Sequence, residues 1–506
     1  IRPRDWSSDV CSSDLSAPRL GSSPSHRLSS VGLGEVASTV GEGFLGMAVQ
    51  LAAMVLVERR YGASGLGVYS YLIAFFHLAA YLADFGISRW VERETALLPG
   101  QPERTAAVWG DAVQAQVLVG LVVAALCCLS APYDTSLTRI QEKVASYVVI
   151  GAAIPIRNGA KLRLAALHGL GKHQEVAKLE AGKRLTFLAT LAIGAFLSFS
   201  PSLLVGSVLV SELVVLFSTA GRVSMPFPRV SRGWTARVRQ TLKECQPLVF
   251  SDQAFELILY IDLVVLGIYL QAGDLGVYAE TSFMARLFLL VPLSLRPVFR
   301  QKYCAAIGDA SCDRAMQLFR KLSTVLFSAH SFFALIILLF YSELLGAFFT
   351  TQGEELLSFR LFEILLPGLV LCSSVMASEP LYEALGVKSS LRRLVTNVLT
   401  FNVAINLYLV RSFGYYGAAT ATLLATALYF LLFGSGLPDL YRPSRLKTLW
   451  GGAAAYVVFA LMRYLKIQRP WTIWLLPVLF GLAYYCIGYF DTDARRQSVP
   501  TKGDAS

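Results

Sequence analysis

The residues best placed to do chemistry in this sequence are ionisable side chains inside apolar runs. Arg286 stands about ten residues into the run 276–298, and Arg157 follows Pro155 in the run 145–165 with Asn158 beside it. The run 247–270 carries Asp252, Glu256 and Asp262. On a helix these three fall within an arc of about 120°, because each residue turns the helix by roughly 100°. Glu42 stands between Gly41 and Gly43, with Gly46 following. A charge inside hydrocarbon is costly, so each of these residues predicts a wetted passage, a bound ion or a buried partner. Arg286 could attract an anionic group, or pair with an acid of the run 247–270. Arg157 could line the same passage or snorkel to an interface. The acidic arc could bind a proton or Na⁺, pair with Arg286, or wet the wall of the passage. Glu42 could face the passage or lie near an interface, where its small neighbours permit close helix approach. Glu212, Asp111 and Glu363 are weaker candidates. Asp84, with Arg89 and Arg93 nearby, predicts a salt bridge, a gate or a solvated helix end.

Other chemistries leave no trace. There is no CxxC or Cys/His cluster with metal spacing, and the five histidines are scattered, so neither a structural disulfide nor a metal site is expected. No G-x-x-x-x-G-K-[ST] run is present, so no nucleotide site of that kind is expected to power the protein.

The elements that hold these residues follow from composition. The 506-residue chain is 55% hydrophobic and 16% charged, against about 25% charged in soluble proteins. Its mean hydropathy is +0.54. Apolar runs at 36–57, 65–87, 109–131, 145–165, 179–198, 202–220, 247–270, 276–298, 324–345, 356–378, 391–410, 414–434, 448–466 and 470–490 are long enough to span a bilayer as helices. They are too long and continuous for the alternating strands of an outer-membrane barrel. The expected fold class is therefore an all-α polytopic membrane protein of about 14 transmembrane helices. No connection is long enough for a soluble catalytic domain.

The excess of 45 Lys and Arg over 34 Asp and Glu would suggest nucleic acid in a soluble chain. Here 30 basic residues fall in connections on one side of the spans and eight on the other. That bias predicts the basic side, with both termini, to be cytoplasmic. The basic stretches 161–184, 222–243 and 296–321 are expected to face anionic lipid, or to help capture an anionic substrate. The run Asp5 to Leu15, DWSSDVCSSDL, reads as a translated sequencing adapter, so residues 1–15 are set aside, and 16–33 read as a flexible tail. An internal echo is also present: LGVY occurs at 66–69 and again at 275–278, 209 residues and six spans later. Six is even, so the copies share one orientation and imply a parallel repeat. The expected organisation is one lobe at 34–221, a basic linker at 222–246, a second lobe at 247–434, two extra helices in 435–490 and a tail at 491–506.

Three segments resemble the polysaccharide flippases of the multidrug/oligosaccharidyl-lipid/polysaccharide exporter superfamily. They are ERRYGASGLGVYSYLIAFFHLAAYLADFGISRWVERE (58–94), LKECQPLVFSDQAFELILYIDLVVLGIYLQAGDLGVYAE (242–280) and RSFGYYGAATATLLATALYF (411–430). In the second, Ile261-Asp262 matches a recurrent pair of the family. The resemblance implies two parallel six-helix lobes around a central cavity, plus two peripheral helices, switching between inward and outward openings. It implies a polyprenyl-pyrophosphate-linked oligosaccharide as cargo, carried from the cytoplasmic to the outer leaflet of a bacterial inner membrane. Arg286 would then attract the pyrophosphate or an acidic sugar. Membrane lipids are implied as surroundings, a polysaccharide polymerase and glycosyltransferases as candidate partners, nucleic acid not at all, and no cofactor beyond H⁺ or Na⁺ coupling. The alternatives are a cation-coupled multidrug antiporter of the same superfamily, a peptidoglycan-precursor flippase and an enzyme of the same pathway.

Overall fold

The computed structural model describes residues 33–98, 100–133, 140–223, 234–249, 254–308, 312–349, 355–385 and 388–435. The expected spans at 448–466 and 470–490, the adapter-like run and the tails lie outside the described residues. The described residues form helices joined by short turns, with no strand among them. In hydrocarbon the chain has no water to satisfy its peptide groups, and a helix satisfies them internally.

Helix α1 (Leu33–Asp84) holds 52 residues, about 78 Å at 1.5 Å per residue, which is more than twice a hydrocarbon core. It is two spans: Gly62, at φ 72° and ψ −175°, breaks it. Phe85 and Gly86 then take positive φ, 47° and 77°, and turn the chain into α2 (Ile87–Leu97). A β-carbon on Gly86 would lie about 3 Å from the backbone at Cys245 and Leu248. Helices α3 (Pro102–Ser130), α4 (Ile140–Gly169), α5 (His173–Phe196) and α6 (Gly206–Ala220) complete the first lobe. Helix α3 exposes Leu121, Val122, Leu126 and Leu129, an apolar surface that hydrocarbon would cover. Amphipathic α7 (Trp234–Cys245) lays Val238, Thr241 and Cys245 against α2 and α3 and leaves Arg237, Arg239 and Lys243 exposed.

The second lobe comprises α8 (Ala254–Tyr269), α9 (Ala272–Phe288), α10 (Leu290–Gly308), α11 (Cys312–Phe348), α12 (Glu355–Val375), α13 (Ser378–Ala384) and α14 (Lys388–Ser435). Helix α14 is again two spans, broken at Gly414 (φ 56°, ψ −132°). Helices α9 and α10 meet at a bend of 50°. Pro292 explains the break, since it lacks the N–H that would bond to Phe288 and its ring crowds that carbonyl. By length and composition six helices could cross a membrane, or seven if the bent pair is one span. Two of the six contain the glycine breaks, and over the described residues each of the first twelve expected spans lies mainly in helix.

The lobes meet mainly where α1 packs on α8, α9 and α10. The LGVY copies lie on this seam. A β-carbon on Gly67 would fall 1.9 Å from the Ala272 carbonyl oxygen, and one on Gly276 would fall 2.1 Å from that of Ala63. Ala63 and Ala272, like Gly67 and Gly276, are one repeat apart. The contact is therefore reciprocal, as around a two-fold axis. Ser64 and Gly273, also repeat mates, face each other there, with the Ser64 hydroxyl 3.5 Å from the position of a Gly273 β-carbon. Toward the other end of the seam Gly43 of α1 receives Ser294 of α10.

Candidate functional site

Asp262 lies in α8, 1% exposed, and three hydroxyl or amide donors converge on it. Tyr278 of α9 donates its hydroxyl to Oδ2 at 2.9 Å. Asn406 of α14 donates Nδ2 to Oδ1 at 2.9 Å. Thr422, across the Gly414 break, also donates to Oδ2. Asn406 Nδ2 bonds the Asn402 carbonyl as well, while its own Oδ1 has no hydrogen-bond partner. Tyr278 is the tyrosine of the second LGVY copy, so the turn that forms the seam also places a donor on the acid. The set presents one carboxylate and several neutral oxygens, ligands that suit a hard cation. No group of three His, Cys, Asp or Glu suited to a metal occurs among the described residues. One negative charge in such a setting matches one monovalent cation or one proton. Of the expected acidic arc, only Asp262 is placed: Asp252 lies outside the described residues, and Glu256 lies in α8 with its side chain undescribed. Glu42 lies in α1, likewise with its side chain undescribed.

The arginines occupy a second cluster, at the seam. Arg157 projects from α4 and is 12% exposed. Its Cζ lies 5.5 Å from the Phe76 ring and 5.0 Å from the Tyr81 ring, both of α1, and its Nε lies 3.8 Å from Glu212 Oε1 on α6. It is half-buried and within ion-pair distance of that carboxylate. Arg286, on α9, is buried. Its guanidinium sits 4.9 Å from the Tyr260 ring of α8. Among the described residues no carboxylate pairs with it, and its Nε and Nη1 are buried without hydrogen-bond partners. The two arginines meet through rings: Tyr81 and Tyr260, one from each lobe, are 6.5 Å apart, and His77 of α1 stacks on Tyr260 at 4.9 Å and 18°. Cation–π contact holds a guanidinium in place while leaving its N–H edge free to bind.

Lys183 and His77 were not anticipated. Lys183, assigned by its neighbours to a basic connection, is inside α5. It binds Glu180 at 2.7 Å and lies 3.9 Å from Glu212. Asp84 is buried and pairs with Lys161 at 3.1 Å and with Ser88, while Arg89 and Arg93 pair with Glu92 and Glu94. Asp111 lies 3.6 Å from Arg237. His77 could have been found by the rule that flagged Arg157, since it is an ionisable residue within the run 65–87.

The fold, with its apolar helices, paired lobes and buried polar seam, is that of a multi-pass membrane protein. Residues 34–301 match the model of the family described as polysaccharide biosynthesis protein, and the chain belongs to that family. It is 25% identical over 403 residues to the probable low-salt glycan biosynthesis flippase Agl15 of Haloferax volcanii, covering 76% of this chain and 78% of the relative. Among solved structures it resembles the lipid II flippase MurJ in an inward closed conformation, with TM-score 0.66 and 15% identity over 90% of this chain and 99% of the other. It also resembles an inward-facing multidrug resistance transporter of the MATE family, with TM-score 0.62 and 14% identity over 80% and 99%.

Proposed function

We propose that this protein is a flippase rather than an enzyme. It carries a polyprenyl-pyrophosphate-linked oligosaccharide from the cytoplasmic to the outer leaflet of a bacterial inner membrane, by alternating access. Stripping one sugar hydroxyl into hydrocarbon costs about 4–8 kcal/mol, so a head group of several sugars needs a wet path while the polyprenyl tail stays in lipid. Two lobes rocking about one site provide it. The observation that carries this reading is Arg286, a buried cation at the lobe seam with unpaired N–H groups and, among the described residues, no carboxylate. An anionic head group would supply the missing acceptors. Arg157 contributes from the opposite lobe, and Glu42 lines the path. The lobes span 34–221 and 247–434, joined by the basic linker 222–246 and followed by two peripheral helices in 435–490 and a tail at 491–506. Both termini are cytoplasmic, in keeping with the 30 to eight distribution of basic residues.

Asp262 is the coupling site, taking H⁺ or Na⁺, and Asp252 and Glu256 extend it along α8. A multidrug antiporter would share the fold and the cation site, but the paired arginines oppose organic cations and favour an anionic cargo. The test is flipping of a lipid-linked oligosaccharide in proteoliposomes. Arg286→Ala is expected to lower the rate at least tenfold at unchanged protein level. A fully active variant would defeat the anion-binding reading.

A further inference from the structure

His77 packs against both rings that carry the arginines. Its imidazole stacks on Tyr260 and stands 6.2 Å from Tyr81. The same two rings hold Arg157 from the first lobe and Arg286 from the second. Its Nδ1 is buried with no hydrogen-bond partner, as are Arg157 Nη1 and Arg286 Nε and Nη1. Leaving one such group unpaired is costly, so several at one spot point to a ligand rich in acceptors. Tyr260 already has His77 and Arg286 each within 5 Å of its centroid, so its ring is occupied as a platform for a sugar. What the cluster offers is the N–H edges of the two guanidiniums and, in its Nδ1–H tautomer, that of the imidazole.

We propose that His77 is a third ligand of the anion, donating from the first lobe beside Arg286 of the second, and that it makes the site select a lipid diphosphate over a lipid monophosphate. This rests on the anion site proposed above. The reason is geometric. A monophosphate presents oxygens on one phosphorus, and a guanidinium fork can hold them bidentately. A diphosphate presents oxygens on two phosphorus atoms, and the second set needs a donor displaced from the first. The imidazole, held on the ring next to the one that carries Arg157, is displaced in that way.

The experiment titrates farnesyl diphosphate and farnesyl monophosphate into the purified full-length protein by calorimetry. His77→Phe keeps a ring on Tyr260 and removes the nitrogens; His77→Gln keeps a donor. Wild type is expected to prefer the diphosphate. The His77→Phe variant is expected to lose about tenfold in diphosphate affinity, the size of one hydrogen bond to a charged group, with monophosphate affinity within twofold of wild type. The Gln variant is expected to recover most of the loss. Unchanged diphosphate binding by His77→Phe, or an equal loss for both ligands, overturns the assignment. Arg286→Ala separates the two levels: if it binds diphosphate like wild type, the anion site itself is wrong, whereas its failure beside an unaffected His77→Phe removes only the histidine.

Discussion

Asp262 and Arg286 show what a single residue reveals in a membrane sequence. Both were legible because a charge in an apolar run needs a reason. Their partners were not. Asn406 and Thr422 are 144 and 160 residues away from Asp262, and amides and hydroxyls are ordinary in packed membrane helices. Lys183 was hidden for the opposite reason, since a lysine near the edge of a run reads as part of a connection. The Asp262 arrangement leads to a direct expectation. Asp262→Asn keeps the shape and removes the charge, so flipping in proteoliposomes should lose its response to an imposed Na⁺ or pH gradient. The rate without a gradient should change by no more than about threefold, and the melting temperature should fall only slightly, because an amide oxygen still accepts from Tyr278. Which gradient drives the wild type identifies the ion. A variant that keeps its full gradient response would remove Asp262 from the coupling role.

At the scale of elements, the seam depends on two glycines that allow backbone to touch backbone. The LGVY repeat was visible in the sequence and located both copies. That they pack on each other was not visible, because like residues can be equivalent without being adjacent. The bend between α9 and α10 was also missed: proline is common in membrane helices, and Pro155 and Pro367 sit inside α4 and α12 without ending either. Gly67→Val and Gly276→Val should each force α1 and α9 apart, since the obstructing atom is a carbonyl oxygen that cannot rotate away. Overpacking of this kind costs typically about 1–3 kcal/mol. The melting temperature should therefore drop for both variants, and by similar amounts because the contact is reciprocal. Valine at Gly41 is the control, because a β-carbon there meets nothing within 4 Å. If the control destabilises as much as the seam variants, the seam glycines have no special role.

At the scale of the whole molecule, the pseudo-two-fold axis passes between Ser64 and Gly273. The lobes touch at that end backbone to backbone, and toward the other end through Ser294 against Gly43. A path that opens alternately to each leaflet must part each contact in turn. Cysteines at positions 64 and 273 would place one sulfur about where the Ser64 oxygen now stands, 3.5 Å from the position of a Gly273 β-carbon, near enough for a small side-chain rotation to bring the two sulfurs into bonding distance. The double variant Ser64→Cys, Gly273→Cys should therefore cross-link under mild oxidation. It should then retain binding of farnesyl diphosphate, whose site lies away from the bond, and lose flipping until a reductant restores it. Each single variant should flip at the wild-type rate. A cross-linked protein that still flips would show that the lobes never separate at Ser64 and Gly273, and would exclude this end of the seam as a gate.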